Sequence, residues 1–251
     1  MKILVTFAVA AEFAAWRRQR GFRRVAREPF PLYSAEIGGN PVRVLLTGIG
    51  ASAATRAMNW ALASPTDMCI ASGFAGALRP TLDVGEVLAA RVVRRAGREL
   101  AVASDHELMI TACDAGARRV DRFLTAERLV VDAREKLELA DEADAVEMES
   151  FVILAEAARH GVRAVSVRAI SDTAESSMPY DFDRVRDDLG KIRLRPLLLE
   201  LAAQPQRIPA LLRLARDCRL AAGRLAIFLD AYLALLSARR SLSQPAAVAA
   251  S

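Results

Sequence analysis

The sequence predicts an α/β fold of three layers, a central mixed sheet between helices, followed by a helical C-terminal extension. Three observations carry this expectation. Apolar runs of strand length alternate with helix-length patterns over residues 1–190. Hairpin-type turns interrupt that alternation, so the sheet mixes strand directions. Beyond about Leu189 the strand pattern stops and only helical pattern remains.

The elements follow in order. Lys2 to Phe7 reads as strand one and Ala10 to Arg20 as a helix. Tyr33 to Ile37 and Val42 to Thr47 read as strands joined at Gly38-Gly39-Asn40. A helix from about Ser52 to Leu62 leads to a strand, Met68 to Ala71, that ends in Ser72-Gly73-Phe74-Ala75-Gly76. Val84 to Val93 and Arg98 to Ala103 form a second hairpin pattern around Gly97. Asp105 to Ala117 is helical, with Asp105 as its N-cap. Then come a strand at Val120 to Thr125, a short helix at Ala133 to Leu139 and a brief strand at Ala145 to Met148. A helix from Glu149 to His160 is stopped by Gly161. The strongly apolar strand Ala164 to Ile170 ends at Ser171-Asp172.

The domain plan is therefore one α/β unit over 1–190, a helical extension over 191–240 and a frayed tail over 241–251. From Pro209 onward one stripe is apolar: Leu211, Leu214, Cys218, Leu225, Leu229, Tyr232, Leu233 and Leu236. Arg213, Arg216, Asp217 and Arg224 fall on the other side. Such a helix packs on the body of the protein or a second subunit, or lies in a membrane interface.

Composition narrows the function classes. The chain has 251 residues, 53% of them hydrophobic, which is enough for a sizeable core. The net charge of +5 comes from arginines scattered among acids, with no zinc-finger or RNP-like spacing, so no nucleic-acid partner is expected. Cys69, Cys113 and Cys218 are odd in number and far apart. With only two histidines, neither a disulfide framework nor a metal site is expected. The cysteines read as small core residues in a reducing, cytoplasmic compartment.

Two motifs admit competing readings. Met1-Lys2-Ile3-Leu4-Val5-Thr6-Phe7-Ala8-Val9-Ala10 has the charged start, apolar middle and small residues of a signal peptide, and equally the pattern of a buried first strand. Gly48-Ile49-Gly50-Ala51-Ser52-Ala53 fits the dinucleotide fingerprint. That fingerprint also wants an acid at the end of the next strand. Asp67 has the spacing but precedes its strand, so a nicotinamide or flavin site is not expected.

The carboxylates carry the chemistry. Glu147 and Glu149 flank Met148 where a strand hands over to a helix, a place from which acids can accept hydroxyl hydrogen bonds or favour the helix dipole. Asp172 closes a nearly continuous apolar strand. A partly desolvated carboxyl there suits a general acid, while Ser171-Asp172-Thr173 also suits a capping turn.

These stretches together resemble the nucleoside phosphorylase superfamily, and most closely its methylthioadenosine/S-adenosylhomocysteine nucleosidases. The resemblance rests on "VEMES", "VSVRAISD", "MKILVTFAVAAEF", "VRVLLTGIGASAA" and "IASGFAGALRPTLDVGEVL", in family order over most of residues 1 to about 190. It implies cleavage of the N-glycosidic bond of a purine nucleoside of adenosine type, by water in preference to phosphate. It implies Asp172 as the acid that protonates the base, Glu149 as the ribose clamp and Glu12 as the group that activates water. Met148 and Glu147 would lie at the ribose and Ile49 at the 5′ substituent. Gly73, Phe74, Ser171 and Val130 would complete the pocket.

The chain also departs from the family. Phe74 stands where a small polar residue is usual, and Leu129 with Val130 replaces a base-stacking aromatic. The 92–120 segment is short, and no phosphorylase-type arginine precedes the central glycines. The tail "PQRIPALLRLARD" resembles the hopanoid-associated phosphorylases, whose proposed substrate is a lipid-linked adenosine such as adenosylhopane. That alternative implies phosphate as co-substrate and peripheral membrane contact through the C-terminal helix. No cofactor or metal is implied. A homodimer is, and a catalytically degenerate nucleoside-binding protein is the non-enzyme alternative.

Overall fold

A computed structural model describes residues 1–177 and 205–243. Ten strands form one sheet: β1 (Ile3–Phe7), β2 (Arg23–Ala26), β3 (Leu32–Ile37), β4 (Asn40–Leu46), β5 (Met68–Ala77), β6 (Val87–Arg95), β7 (Ala101–Ala103), β8 (Arg118–Thr125), β9 (Ala145–Glu147) and β10 (Arg163–Asp172). The helices are α1 (Ala10–Arg20), α2 (Ala51–Leu62), α3 (His106–Asp114), α4 (Ala133–Leu139), α5 (Ser150–Arg159) and α6 (Ile208–Ser243).

The strand order is β10-β6-β8-β9-β5-β1-β4-β3-β2, with β7 beside β6. A further β10–β5 pairing closes β5, β9, β8, β6 and β10 into a ring. β1 lies between β4 and β5, parallel to both, and β5 is parallel to β10. These four strands therefore point their carboxyl ends at one edge, where open α/β sheets place ligands. The sheet is mixed, as expected, because β3–β4, β6–β10 and β5–β9 are antiparallel.

Alternation along β1 splits the core. Ile3, Val5 and Phe7 face a layer that includes Phe13 and Trp16 of α1, Leu108 and Met109 of α3, and Leu225, Leu229 and Tyr232 of α6. Leu4 faces the other layer, with Ala54 and Met58 of α2 and Phe151 and Leu154 of α5. The first strand is thus the middle of the sheet, which supports the strand reading of the opening residues.

The predicted stripe on α6 is the packed one: Leu225, Leu229, Tyr232, Leu233 and Leu236 are buried, while Arg213, Arg216 and Arg224 are exposed. Trp16 Nε1 donates to Asp230 Oδ1 at 2.8 Å, and the Tyr232 hydroxyl donates to the Leu108 carbonyl at 2.8 Å. Leu212, Leu220 and Ile227 remain exposed. The helix is long and apolar enough to cross a membrane, yet half of its most apolar window is buried within the protein.

Several elements differ from expectation: β6 and β7 start three residues later than their patterns suggest, and α3 ends at Asp114. β2 is an arginine-rich edge strand whose pattern carries no apolar alternation to reveal it. β5 runs on to Ala77 through the glycine segment, and β10 starts at Arg163 and runs on to Asp172. Each continues because the other lies in register beside it, with Gly73 opposite Arg168 and Gly76 opposite Asp172. Of the predicted C-terminal unit, the stretch before Pro205 and the tail beyond Ser243 lie outside the described residues.

Candidate active site

Glu12 reaches the site from the first turn of α1, just past the end of β1. Its Oε2 accepts from the Ala8 and Val9 amides at 2.8 and 3.0 Å. An acid at the third helical position that reaches back in this way caps the helix. Its Oε1 accepts from the Phe74 amide of β5 at 2.8 Å, which is not a local contact. Gly73 makes that approach feasible. Its φ is 141°, and a Cβ there would lie 2.6 Å from both Glu12 Oε1 and Arg168 Nη1. Burial pushes the Glu12 pKa up, against the pull of Arg168 and the three amides.

Glu147 and Glu149 take different tasks. Glu147 Oε2 accepts from the Glu149 and Ser150 amides at 2.9 and 2.6 Å and from Arg168 Nη2 at 2.6 Å. Its Oε1 accepts from the Thr125 hydroxyl, whose oxygen in turn accepts from the Phe151 amide at 3.0 Å. Glu147 and Thr125 together satisfy the first amides of α5. Both Glu147 oxygens accept from protein donors that anchor Arg168 and the start of α5, and the residue also lines the cavity beside Asp172.

Glu149 lies across the turn. Its Oε1 accepts from the Gly50 amide at 2.8 Å, and its Oε2 is 3.6 Å from Arg168 Nη2. The amide that a dinucleotide phosphate would need is thereby taken by a side chain of the same molecule. Burial pushes the Glu149 pKa up to about 8. Arg168 and the Gly50 amide pull it down, while the charges of Glu147 and Glu12 push it up. Three buried carboxylates around one guanidinium make a site primed for hydroxyl donors or developing positive charge.

Arg168 is the hub. It is buried on β10 and donates to the Ser150 hydroxyl through Nε at 3.1 Å and Nη2 at 2.9 Å, and to the Phe74 carbonyl at 3.5 Å. Asp172 ends the same strand after an irregularity at Ile170. Its Oδ1 accepts from the Ser171 hydroxyl at 2.7 Å and its Oδ2 from the buried Lys136 ammonium of α4. A Cβ on Gly76 would sit 2.9 Å from that Oδ2, so each functional side chain of β10 faces a glycine of β5.

A cavity of about 30 Å³ opens beside Asp172, lined by Gly76, Leu129, Val130, Val146 and Met148 among others. That is little more than a water needs. A larger concavity of about 610 Å³ lies away from these residues, along Arg20, Arg23 and Glu36 on the β2–β3 side. The structure thus brings Asp172, Val130 and Met148 together at one subsite, with Ser171 bonded to the acid. Glu12, Glu149, Gly73 and Phe74 converge at an adjoining one, and the half-buried Ile49 precedes the Gly50 amide that Glu149 engages. The thiol of Cys218 on α6 is pushed up to about 12, mainly by burial and then by the charges of Asp172 and Glu12, which places α6 beside the acids.

A family model of the phosphorylase superfamily matches residues 2–199. The chain belongs to the phosphorylase superfamily. Solved structures of similar fold include a futalosine hydrolase mutant from Helicobacter pylori, at TM-score 0.72 and 16% identity, covering 93% of this chain and 98% of that one. Another is the 5'-methylthioadenosine/S-adenosylhomocysteine nucleosidase of Neisseria meningitidis in complex with methylthio-immucillin-A, at TM-score 0.72 and 21% identity, covering 93% and 98%. The corresponding nucleosidase of Campylobacter jejuni matches at TM-score 0.67 and 17% identity, covering 92% and 99%.

Within this phosphorylase-superfamily frame, two functional residues escaped the sequence reading. Arg168 had a signal, since an arginine inside an otherwise apolar strand needs a buried partner. Lys136 had none, because a lysine in Ala-Arg-Glu-Lys-Leu-Glu-Leu reads as a solvated helix position.

Proposed function

We propose that the protein cleaves the N-glycosidic bond of a purine nucleoside of adenosine type, with water as the acceptor. Asp172 gives a proton to the base, so that the base leaves neutral. Glu149, once ionised, accepts the ribose hydroxyls and stabilises the cationic character of the sugar in an oxocarbenium-like transition state. Glu12 orients and deprotonates the attacking water. Met148 and Val130 give the base an apolar wall, and Ile49 and Phe74 border the 5′ side.

The observation that supports water over phosphate is the occupancy of the Glu12 cradle. Three backbone amides, from Ala8, Val9 and Phe74, already hold a carboxylate of the same chain. Arg168 is likewise committed to Glu147, Ser150 and Phe74. A phosphate would have to displace an anion the protein already carries.

The test is adenine release from a panel of adenosine derivatives, with and without phosphate. Release at equal rates in both conditions is expected. Strict dependence on phosphate, with a sugar 1-phosphate as product, overturns the choice of acceptor. Asp172→Asn is expected to lower kcat by at least about 100-fold while an analogue still binds, because a missing general acid costs roughly 10²–10⁴. Wild-type turnover by that variant would remove Asp172 from the mechanism.

A further inference from the structure

Lys136 is fully buried in α4 and touches the Asp172 carboxylate. Its other hydrogen bonds go to the backbone carbonyls of Thr173 and Ser176, each at 2.9 Å. An ammonium has three N–H donors, so all three are placed and none is left for a ligand. A fully buried ammonium needs each of these partners, and one of the three is the Asp172 carboxylate.

The frame satisfies two protonation states equally. In the ion pair, Nζ donates to two carbonyls and to Asp172 Oδ2. With the shared proton moved onto Oδ2, the neutral amine still donates twice to the carbonyls, and its lone pair accepts from the new carboxyl O–H. No hydrogen bond is lost in the exchange. An ion pair taken out of water loses hydration that its neutral counterpart does not need, so one shared proton can sit on either atom more readily than it could in water. Ionisable groups near the pair among the described residues include Glu147 of β9 and Arg128 of the segment before α4, which line the same cavity, and Cys218 of α6.

We propose that Lys136 is a positioning residue that stores the proton Asp172 delivers to the leaving base. The inference rests on Asp172 being the acid. An N–H bond of Lys136 breaks as an O–H bond forms on Asp172. That carboxyl then protonates a base nitrogen while the glycosidic electron pair withdraws into the base. The pair is left as amine and carboxylate, and it recovers one proton from water once the base departs. The device lets an acid work at neutral pH beside a cation that would otherwise keep it ionised.

The experiment is the pH profile of kcat for base release by wild type, Lys136→Met and Lys136→Arg, with analogue binding and unfolding measured alongside. The wild-type profile should extend furthest to the alkaline side. Lys136→Met removes the stored proton, so the alkaline limb of kcat should move to lower pH while kcat recovers below it. Lys136→Arg keeps the charge but cannot release a proton. Its limb should move furthest, with kcat at pH 8 lower by about 100-fold or more. If the larger arginine prevents folding, the methionine profile decides alone.

Limbs that coincide with wild type in the folded variants overturn the proposal. So does a loss that is uniform across pH, which would mark a purely structural role. A wild-type enzyme that releases no base, or an Asp172→Asn variant as active as wild type, fails at the earlier step. That outcome overturns the assignment of the acid itself, and the storage role with it.

Discussion

At the scale of single residues, the site works by pairing glycines with large charged side chains. Gly73 and Gly76 of β5 stand opposite Arg168 and Asp172 of β10, and each leaves the space that its partner fills. Gly73→Ala therefore meets two fixed groups at 2.6 Å in a backbone conformation at φ 141°. We expect it to cost about 1–3 kcal/mol in denaturant unfolding. It should also lower kcat/KM by at least about tenfold through misplacement of Glu12 and Arg168. An alanine variant with wild-type kinetics would show that the close approach is dispensable. Glu149 and Asp172 were legible in the sequence because they stand at or just past strand ends, and the glycines because they interrupt an apolar run. The split between Glu147 and Glu149 was not. Alternation predicts that both point one way, and both carboxylates do reach Arg168 Nη2; their partners differ because α5 starts at Ser150, which gives Glu147 the helix amides and leaves Glu149 the Gly50 amide.

At the scale of elements, α5 shows how a helix start can serve a site. Its leading amides are satisfied by Glu147 and the Thr125 hydroxyl, so a strand end and a neighbouring strand together fix where Glu149 stands. Thr125→Val keeps the shape and removes the donor to Glu147 and the acceptor for Phe151. The expected cost is about 1–3 kcal/mol in unfolding free energy, since buried partners are left unpaired. The KM for nucleoside should rise as Glu149 loosens. Short helices were legible where caps announced them. Asp105 and Asp132 accept from Leu108 and Arg134 amides, and α4 has the bounds that its pattern predicts. What α4 buries was not legible. Leu137 is exposed while Lys136 is fully buried, the reverse of the hydrophobic rule. Asp172 and the carbonyls of Thr173 and Ser176, 36 to 40 residues away in the chain, explain the inversion.

At the scale of the whole molecule, the buried carboxyls set how stability responds to pH. The Glu149 pKa is raised from 4.5 to about 8 in the folded protein, and that of Glu12 is raised as well. Between the unfolded and folded values the folded state binds more protons than the unfolded chain. The stabilisation from Glu149 is thus fully present below about pH 4.5 and is lost as pH rises through about 8. Thermal unfolding from pH 5 to 8.5 should show a falling Tm in wild type and a flatter curve in Glu149→Gln. Parallel curves would mean that Glu149 titrates alike in both states. In the proposed mechanism the same carboxylate ionises to hold the ribose, so kcat/KM should rise with pH where Tm falls. Activity is obtained here at the expense of stability, as buried functional charges generally require.

The pairing of α1 with α6 has a consequence for how the chain is made. Trp16 and Asp230, which meet at 2.8 Å, are separated by 214 positions. During synthesis the face of β1 that carries Ile3, Val5 and Phe7 emerges some two hundred residues ahead of the helix that covers it. Until then an aromatic cluster of Phe7, Phe13, Trp16 and Phe22 lacks the cover of α6. Contacts of such long range close slowly and leave apolar surface open to misassociation. Nascent chains released before α6 should collect in the insoluble fraction or on chaperones. Glu12 is carried by α1, so the helix that bears it gains its outer cover only when α6 docks.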